Sequence, residues 1–298
     1  MEKFDNIINS ENKKITITVV SGKGGTGKTT ISSSLSYLLD KKFVKADCDV
    51  DASNLGIILQ GKTLKKSNYT GAKVAKIDQN KCISCGQCKD VCRYDAIDLV
   101  DESYLVNPLK CEGCNACVIN CPQGAIKLNE EVTGEILEKK TNIGKFYGSK
   151  MIPGAEGSGK LVSKIRQVAK KEDENMLIDG SPGVGCSVMA SITGSDYSII
   201  VTEPTQSGYE DLIRVNKVIE SFDSKPLVVI NKFDINEDMS EKIKKEAEKL
   251  NIEIIGKIPF DPLVNEAINN LEPVINYDSS EASKAINKMY KRLISIID

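Results

Sequence analysis

The chain has 298 residues, 40% of them hydrophobic and 28% charged, an ordinary globular balance with room for one large core and a small module. Its 40 lysines and arginines nearly cancel 42 aspartates and glutamates, so no global field draws it to nucleic acid or to an acidic membrane, and neither partner is expected. It has no histidine, which removes imidazole as a general base and as a metal ligand, and no apolar run approaches the roughly 18 residues that span a bilayer.

In chain order, residues 1–13 read as a flexible polar extension, rich in asparagine and without the apolar core of a signal peptide. With ten cysteines in the chain, this predicts a reducing cytoplasm, where thiols serve metals rather than disulfides. Ile15 to Val20 is a β-branched strand, Ser21 to Thr30 a glycine-rich turn, and Ile31, Leu35, Leu38 and Leu39 recur at helical spacing. A second strand, Phe43 to Ala46, runs into the acidic cluster Asp47-Cys48-Asp49-Val50-Asp51. A cysteine repeat fills about 76–130. Beyond it, Gly154, Gly157 and Gly159 lead into a helix with Leu161, Ile165 and Val168 on one face. Strands then follow at Met176 to Ile178, Ser198 to Thr202, Leu227 to Ile230 and Ile252 to Ile258. They alternate with helices carrying Leu212, Val215, Ile219 and Phe222, then Met239, Ile243 and Leu250. Apolar strands in such alternation predict an α/β fold, a doubly wound, mostly parallel sheet covered on both faces. The divisions expected are an extension (1–13), the first part of the α/β domain (14–75), an inserted module (76–130) and the second part (131–298). The last helix puts Ala282, Ala285, Ile286, Met289, Leu293, Ile296 and Ile297 on one broad stripe. Packing against the sheet is expected for it, with a membrane-surface role as the alternative.

Gly22-Lys23-Gly24-Gly25-Thr26-Gly27-Lys28-Thr29 satisfies G-x-x-x-x-G-K-[ST] between a strand and a helix. Glycines let backbone N–H groups turn inward on phosphate oxygens at a helix N-terminus. Lys28 is expected to reach the β- and γ-phosphates and the Thr29 hydroxyl to ligate Mg²⁺. Lys23, directly after the first glycine, and Thr30, after Thr29, make the loop resemble the deviant motif K-G-G-x-G-K-T-T of the MinD/ParA-type ATPases. The resemblance implies ATP as ligand and a homodimer closed by ATP, with Lys23 reaching the partner's nucleotide. Asp47 to Asn54 resembles that family's first switch, where Asp49 orients the attacking water beside Mg²⁺. Ile178 to Gly185 resembles its Walker B strand and second switch, with Asp179 holding the Mg²⁺ shell and Gly183 in the turn that moves. Asn231-Lys232 resembles the base-recognition motif, with Asn231 on adenine. Pro259-Phe260-Asp261 resembles the loop closing over the other side of the base, though a strand-exit turn explains it nearly as well. The implied catalytic set is thus Lys23, Lys28, Asp49 and Asp179.

Cys82, Cys85, Cys88 and Cys92 form the run C-x2-C-x2-C-x3-C, repeated by Cys111, Cys114, Cys117 and Cys121 at an offset of 29 residues. Ala96, Ile97 and Leu99 recur at the same offset as Ala125, Ile126 and Leu128. Each half resembles a bacterial ferredoxin run, in which the fourth cysteine serves the other run's cluster. That resemblance implies one [4Fe–4S] cluster on Cys82, Cys85, Cys88 and Cys121 and a second on Cys111, Cys114, Cys117 and Cys92. Zinc is the main rival, but zinc ribbons pair CxxC knuckles without a third cysteine two residues on. Arg93 departs from the pattern by standing where the second run has Pro122, which is expected either to loosen the turn at Cys92 or to bring positive charge near the second cluster. The two cysteines left over, Cys48 and Cys186, are expected to be small buried hydrophobes. About 14–298 resembles the MinD-like ATPases that carry an inserted ferredoxin domain, as do the stretches Ile152 to Val162 and Val201 to Thr205. The expected function is a Mg²⁺-dependent ATPase that couples nucleotide state to electron transfer toward a redox or iron–sulfur partner protein. Cluster assembly and intracellular positioning are the alternatives.

Overall fold

The first strand, β1 (Thr16–Ser21), buries Ile17 and Val19 in one core and Val20 in another. A strand apolar on both faces needs cover on each. In the computed structural model, which describes residues 14–152 and 158–297, the chain supplies it. The extension 1–13 and Gly154 and Gly157 of the glycine-rich stretch lie outside the described residues. The elements that follow are α1 (Lys28–Leu39), β2 (Phe43–Asp47), α2 (Leu55–Ile58), β3 (Gly61–Ile77), α3 (Gln87–Asp90), β4 (Ile97–Val100) and β5 (Ser103–Val106). After them come α4 (Ala116–Ile119), β6 (Ile126–Thr141), β7 (Gly144–Met151), α5 (Ser158–Ala169), β8 (Asn175–Pro182), α6 (Cys186–Ile192) and β9 (Tyr197–Thr202). The chain ends with α7 (Gln206–Glu220), β10 (Lys225–Asn231), α8 (Glu237–Lys249), β11 (Glu253–Ile258), α9 (Pro262–Asn269) and α10 (Glu281–Ile297).

The described residues form two compact units, one of 14–66, 137–149 and 158–297, the other of 67–136 and 150–152. The nine-stranded sheet runs in the order β11-β10-β9-β1-β8-β2-β7-β6-β3. Within the first unit β1 pairs in parallel with β8 and β9, β10 with β9 and β11, and β2 with β8 and β7. This is the mostly parallel α/β sheet that the alternation predicts. On one face Ile17, Val19, Ile199, Val201, Leu227 and Val229 pack with Ile31 and Leu35 of α1 and with Ile286, Met289 and Leu293 of α10. On the other, Val20, Ile200, Val228 and Ile230 meet Val188 of α6, Leu212, Val215 and Ile219 of α7, and Ile243 of α8.

The stripe on α10 is therefore core. Ala282, Ile286, Met289 and Leu293 are buried, and the β11 backbone at Gly256 comes so close that a Cβ there would lie 2.8 Å from Met289 Cγ. Leu293→Ala should cost about 2–5 kcal/mol by lost transfer and a residual cavity. Urea unfolding measures it, and an unchanged midpoint would assign the stripe elsewhere. Among the described residues no helix is long and apolar enough to cross a membrane.

The long strands β3, β6 and β7 have no counterpart in the pattern reading. β3 carries five lysines and is mostly exposed until Tyr69. A strand solvated on both faces leaves no period-two apolar signal. β6 and β7 are sheet neighbours joined by residues 142–143 alone, a link that only an antiparallel pair permits.

In the second unit the core is Ala75, Ile77, Cys88, Ile97, Cys117 and Ile126, and further side chains of the repeat are partly buried against it, among them Cys82, Cys92, Cys111 and Cys121. Its 29-residue repeat extends to the backbone. Left-handed residues pair as Ser84 with Gly113, Gly86 with Asn115, and Asp95 with Gly124. The halves also cross over. Asp78 N–H donates to the Ala125 carbonyl (2.8 Å) and Asn107 N–H to the Ala96 carbonyl (2.7 Å), so the start of each half is tied to the end of the other.

Candidate functional site

Between β1 and α1 the loop Gly22 to Gly27 turns through left-handed residues at Gly25 and Gly27. Two of its glycines are forced by close neighbours. A Cβ on Gly22 would lie 2.0 Å from Asp211 Cβ on α7, and one on Gly27 would lie 2.2 Å from Asn231 Nδ2. Because Gly27 is the N-cap, no side chain caps α1, and its first-turn N–H groups stay available to an anion. Thr26 Oγ1 is likewise buried with no hydrogen-bond partner among the described residues. A loop of donors at a helix start with an orphaned hydroxyl fits a phosphate chain.

Asp179, fully buried on β8, gathers the loop's side chains. Its Oδ1 accepts from Lys28 Nζ (2.9 Å) and Ser32 Oγ (2.9 Å), and its Oδ2 from Thr29 Oγ1 (3.0 Å). Lys28 Nζ also lies 3.1 Å from Asp49 Oδ2. Burial alone would lower the Lys28 ammonium, but Asp179 and Asp49 outweigh it and hold the group above the ordinary lysine value. Burial also raises the Asp49 carboxyl against the opposing pull of Lys28. Lys28, Thr29, Asp49 and Asp179 thus stand together, and their hydroxyl and carboxylate oxygens are the hard donors that Mg²⁺ takes.

The two switch-like segments are tied to each other and to the loop strand. Cys48 N–H donates to the Asp179 carbonyl (2.8 Å), Ser181 Oγ to the Cys48 carbonyl (2.7 Å), and Gly183 N–H to the Ser21 carbonyl (2.8 Å). Pattern reading missed Asp47. Its carboxylate accepts from Asp49 N–H (3.1 Å), Ser53 Oγ (2.8 Å) and Gly56 N–H (3.4 Å), which shapes the whole acidic turn. Burial, with the Asp179 charge second, pushes its carboxyl up to about 7. The only available sequence signal for it was its place as the first of three alternating aspartates.

The remaining expected residues make contacts within the chain. Asn231 Nδ2 donates to the Thr26 carbonyl (2.8 Å), so it braces the phosphate loop. Asp261 caps α9 through Leu263 N–H (2.9 Å) and receives Ser280 Oγ (2.5 Å) and Ala282 N–H (3.2 Å) at the start of α10. Both of its oxygens are engaged in joining two helices. Next to it, Pro259 carries no N–H to offer a ligand, while Phe260 N–H is held by Asp234 Oδ1 (2.7 Å). Lys23 Nζ sits 2.8 Å from Glu203 Oε1 and 2.9 Å from Ser207 Oγ of its own chain. Cys48 is fully buried, which pushes its thiol well up. Cys186 corrects the expectation of a buried hydrophobe. It is exposed, because it opens α6 directly after the Gly183–Gly185 turn.

In the second unit the eight repeat cysteines divide between two pockets. Cys82, Cys85, Cys88 and Cys121 line one together with Ile77, Tyr104 and Pro122. Cys92, Cys111, Cys114 and Cys117 line the other with Ala75, Tyr94 and Leu128. The crossed backbone bonds are the cause, since they bring the end of each run to the start of the other. N–H groups of Ala125, Ala96 and Ala75 point at Cys121 Sγ (3.3 Å), Cys92 Sγ (3.4 Å) and Cys111 Sγ (3.4 Å). Among the described residues no three acidic or sulfur side chains converge on a single ion. The four thiols of each set instead line one common pocket, a set of soft sulfur donors of the kind that iron–sulfur clusters and zinc both take. Arg93 is not among the residues lining the second cavity, whereas its counterpart Pro122 lines the first.

Comparison with known proteins agrees with the geometry of the first unit. The profile described as CbiA, the CobQ/CobB/MinD/ParA nucleotide binding domain, matches residues 17–274. An uncharacterized protein of Methanocaldococcus jannaschii is 34% identical over 285 residues, 94% of this chain and 97% of the relative. The septum site-determining protein MinD of Bacillus subtilis is 23% identical over 292 residues, 93% of this chain and 88% of its own. Among solved structures, MinD of Pyrococcus horikoshii complexed with Mg-ADP superposes with a TM-score of 0.60 at 18% identity, covering 96% of this chain and 98% of that one. The ATP complex of a Cyanothece McdA variant gives 0.56 at 17%, covering 94% and 96%.

Proposed function

The chain belongs to the CobQ/CobB/MinD/ParA nucleotide-binding family, and on that footing we propose that it is a Mg²⁺-dependent ATPase whose nucleotide state governs a two-cluster iron–sulfur module. The observation that carries the reading is the division of eight cysteines into two four-thiol cavities, in a unit inserted between the two switch-like segments.

At the nucleotide site Gly22 to Gly27 would wrap the phosphates, Lys28 would neutralise the β- and γ-oxygens, Thr29 and Asp179 would hold Mg²⁺, and Asp49 beside it would orient the attacking water. Little more is required, because phosphoryl transfer rests on positioning and charge stabilisation. Lys28 then exchanges its two carboxylate partners for phosphate, which frees Asp49 to move. Mg²⁺, when bound there, would supply charge neutralisation to the transferring phosphate. Two copies of the chain close on ATP, with Lys23 at the junction.

In the module the two sets are Cys82, Cys85, Cys88 and Cys121, and Cys111, Cys114, Cys117 and Cys92. [4Fe–4S] clusters supply one-electron exchange, and the partner is a redox protein that accepts or donates those electrons. Fully ligated clusters favour electron transfer over cluster delivery, which calls for labile, under-ligated sites. The positioning role named in the MinD relatives is the second reading, supported by their similarity along the chain.

Anaerobic redox titration in ADP and in a non-hydrolysable ATP analogue, followed by electron paramagnetic resonance, separates the two. The electron-transfer reading expects a nucleotide-dependent midpoint potential, because a ligand shifts an equilibrium only by binding its states differently. Superimposable curves at full nucleotide occupancy would leave the module a passive docking surface and favour positioning. Light scattering on the same samples should show the mass double with the ATP analogue alone.

A further inference from the structure

Two lysines leave the same phosphate loop and pair with different carboxylates. Lys28 is buried between Asp49 and Asp179, whereas Lys23 turns to Glu203, the residue directly after β9. The support under that contact is firm. Ser207 Oγ, which accepts from Lys23 Nζ, lies 3.2 Å from Thr205 Oγ1, and Thr205 caps α7 through Gly208 N–H (3.0 Å). Gly208 lets the turn close, since a Cβ there would lie 2.2 Å from the Glu203 carbonyl. The other oxygen of the same carboxylate, Oε2, is 3.6 Å from Lys232 Nζ, in the loop after β10. One carboxylate, its side chain 16% exposed, thus sits between lysines from the two loops that frame the nucleotide site.

We propose that Glu203 is a positioning residue for Lys23, holding its ammonium within its own chain and so setting how much ATP is needed to release it toward a second copy. The inference rests on the ATP-closed homodimer proposed above. Lys23 cannot keep a 2.8 Å contact with Glu203 and also reach a phosphate across a junction. The fraction of chains with Lys23 free therefore scales the apparent affinity of pairing. Lys232 completes the device: when Lys23 leaves, a second cation remains beside the carboxylate, so release does not strand a charge.

Glu203→Gln keeps the shape and removes the charge. Two measurements are made on the full-length protein. Mass spectrometry follows acetylation of Lys23 by an amine-reactive reagent without nucleotide, and light scattering follows the ATP-analogue concentration that gives half-maximal dimer. Lys23 should be acetylated about two- to five-fold faster in the variant, the range expected for loss of a partly exposed ion pair. The half-maximal concentration should fall by a similar factor, and Ser207→Ala should move both in the same direction by less. Equal acetylation in wild type and variant overturns the hold itself. Faster acetylation with an unchanged or raised nucleotide requirement overturns its control of pairing. Faster acetylation in a protein that stays monomeric at saturating nucleotide overturns the homodimer, and with it the release step.

Discussion

Lys28→Ala should abolish nucleotide binding, while Asp49→Ala should keep it and stall turnover. Lys28 is the only cation within hydrogen-bond reach of both Asp49 and Asp179 among the described ion pairs. Its removal leaves those carboxylates facing each other where the phosphates would enter, so the site both loses its grip on the ligand and turns repulsive. Truncating one partner of a buried charge pair at a binding interface costs about 2–5 kcal/mol, which lowers nucleotide affinity by roughly 30- to several thousand-fold. Lys28→Met, which keeps the volume, should behave the same way and shows that charge rather than packing is at stake. Asp49→Ala removes one of the two carboxylates and leaves the Asp179 contact intact. Binding should hold or tighten, while phosphate release falls about 100-fold or more because the water is no longer oriented. Nucleotide binding by Lys28→Ala at wild-type affinity, or full turnover by Asp49→Ala, would remove this pair from the chemistry.

The sequence carried the layered fold because its central strands are apolar on both faces. Ile17, Val19 and Val20 are consecutive enough to demand helices on each side, and α1, α7, α8 and α10 show matching stripes. It also carried the phosphate loop, whose glycines are fixed by backbone conformation and by near neighbours such as Asp211 and Asn231. What stayed hidden has a common physical cause. β3 and β6 present polar residues to solvent along much of their length, so no burial pattern marks them. Asp47, Asp261 and Glu203 act through partners far away in sequence or through backbone groups, such as Ser280 for Asp261 and Lys23 for Glu203. No local spacing encodes such contacts. Cys186 was misplaced because apolar character of the residue type stood in for position, and a helix start after an exposed turn is not an interior.

The second large effect separates crossed from contiguous cluster ligation. Anaerobically reconstituted protein should hold about eight iron and eight sulfide per chain, with little zinc. Cys85 is exposed and its loss disturbs the core least, whereas Cys88 and Cys117 belong to that core. Under crossed ligation Cys85 and Cys121 serve the same cluster, as their shared cavity suggests, and Cys92 serves the other. Cys85→Ala and Cys121→Ala alone or combined should then each retain about four iron, since one ligand lost already releases the cluster. Cys85→Ala combined with Cys92→Ala should retain almost none. Contiguous ligation reverses the two double variants, so the pair that keeps its iron identifies the arrangement. Losing both clusters should also expose the second unit to proteolysis first, because a module this small leans on its metals for stability and its core is built largely around those thiols. The first unit, with its own two-faced core, should survive the same digestion. Stoichiometric zinc without iron after anaerobic reconstitution would overturn the iron–sulfur reading. Iron retained by Cys85→Ala with Cys92→Ala but lost from Cys85→Ala with Cys121→Ala would overturn the crossing alone.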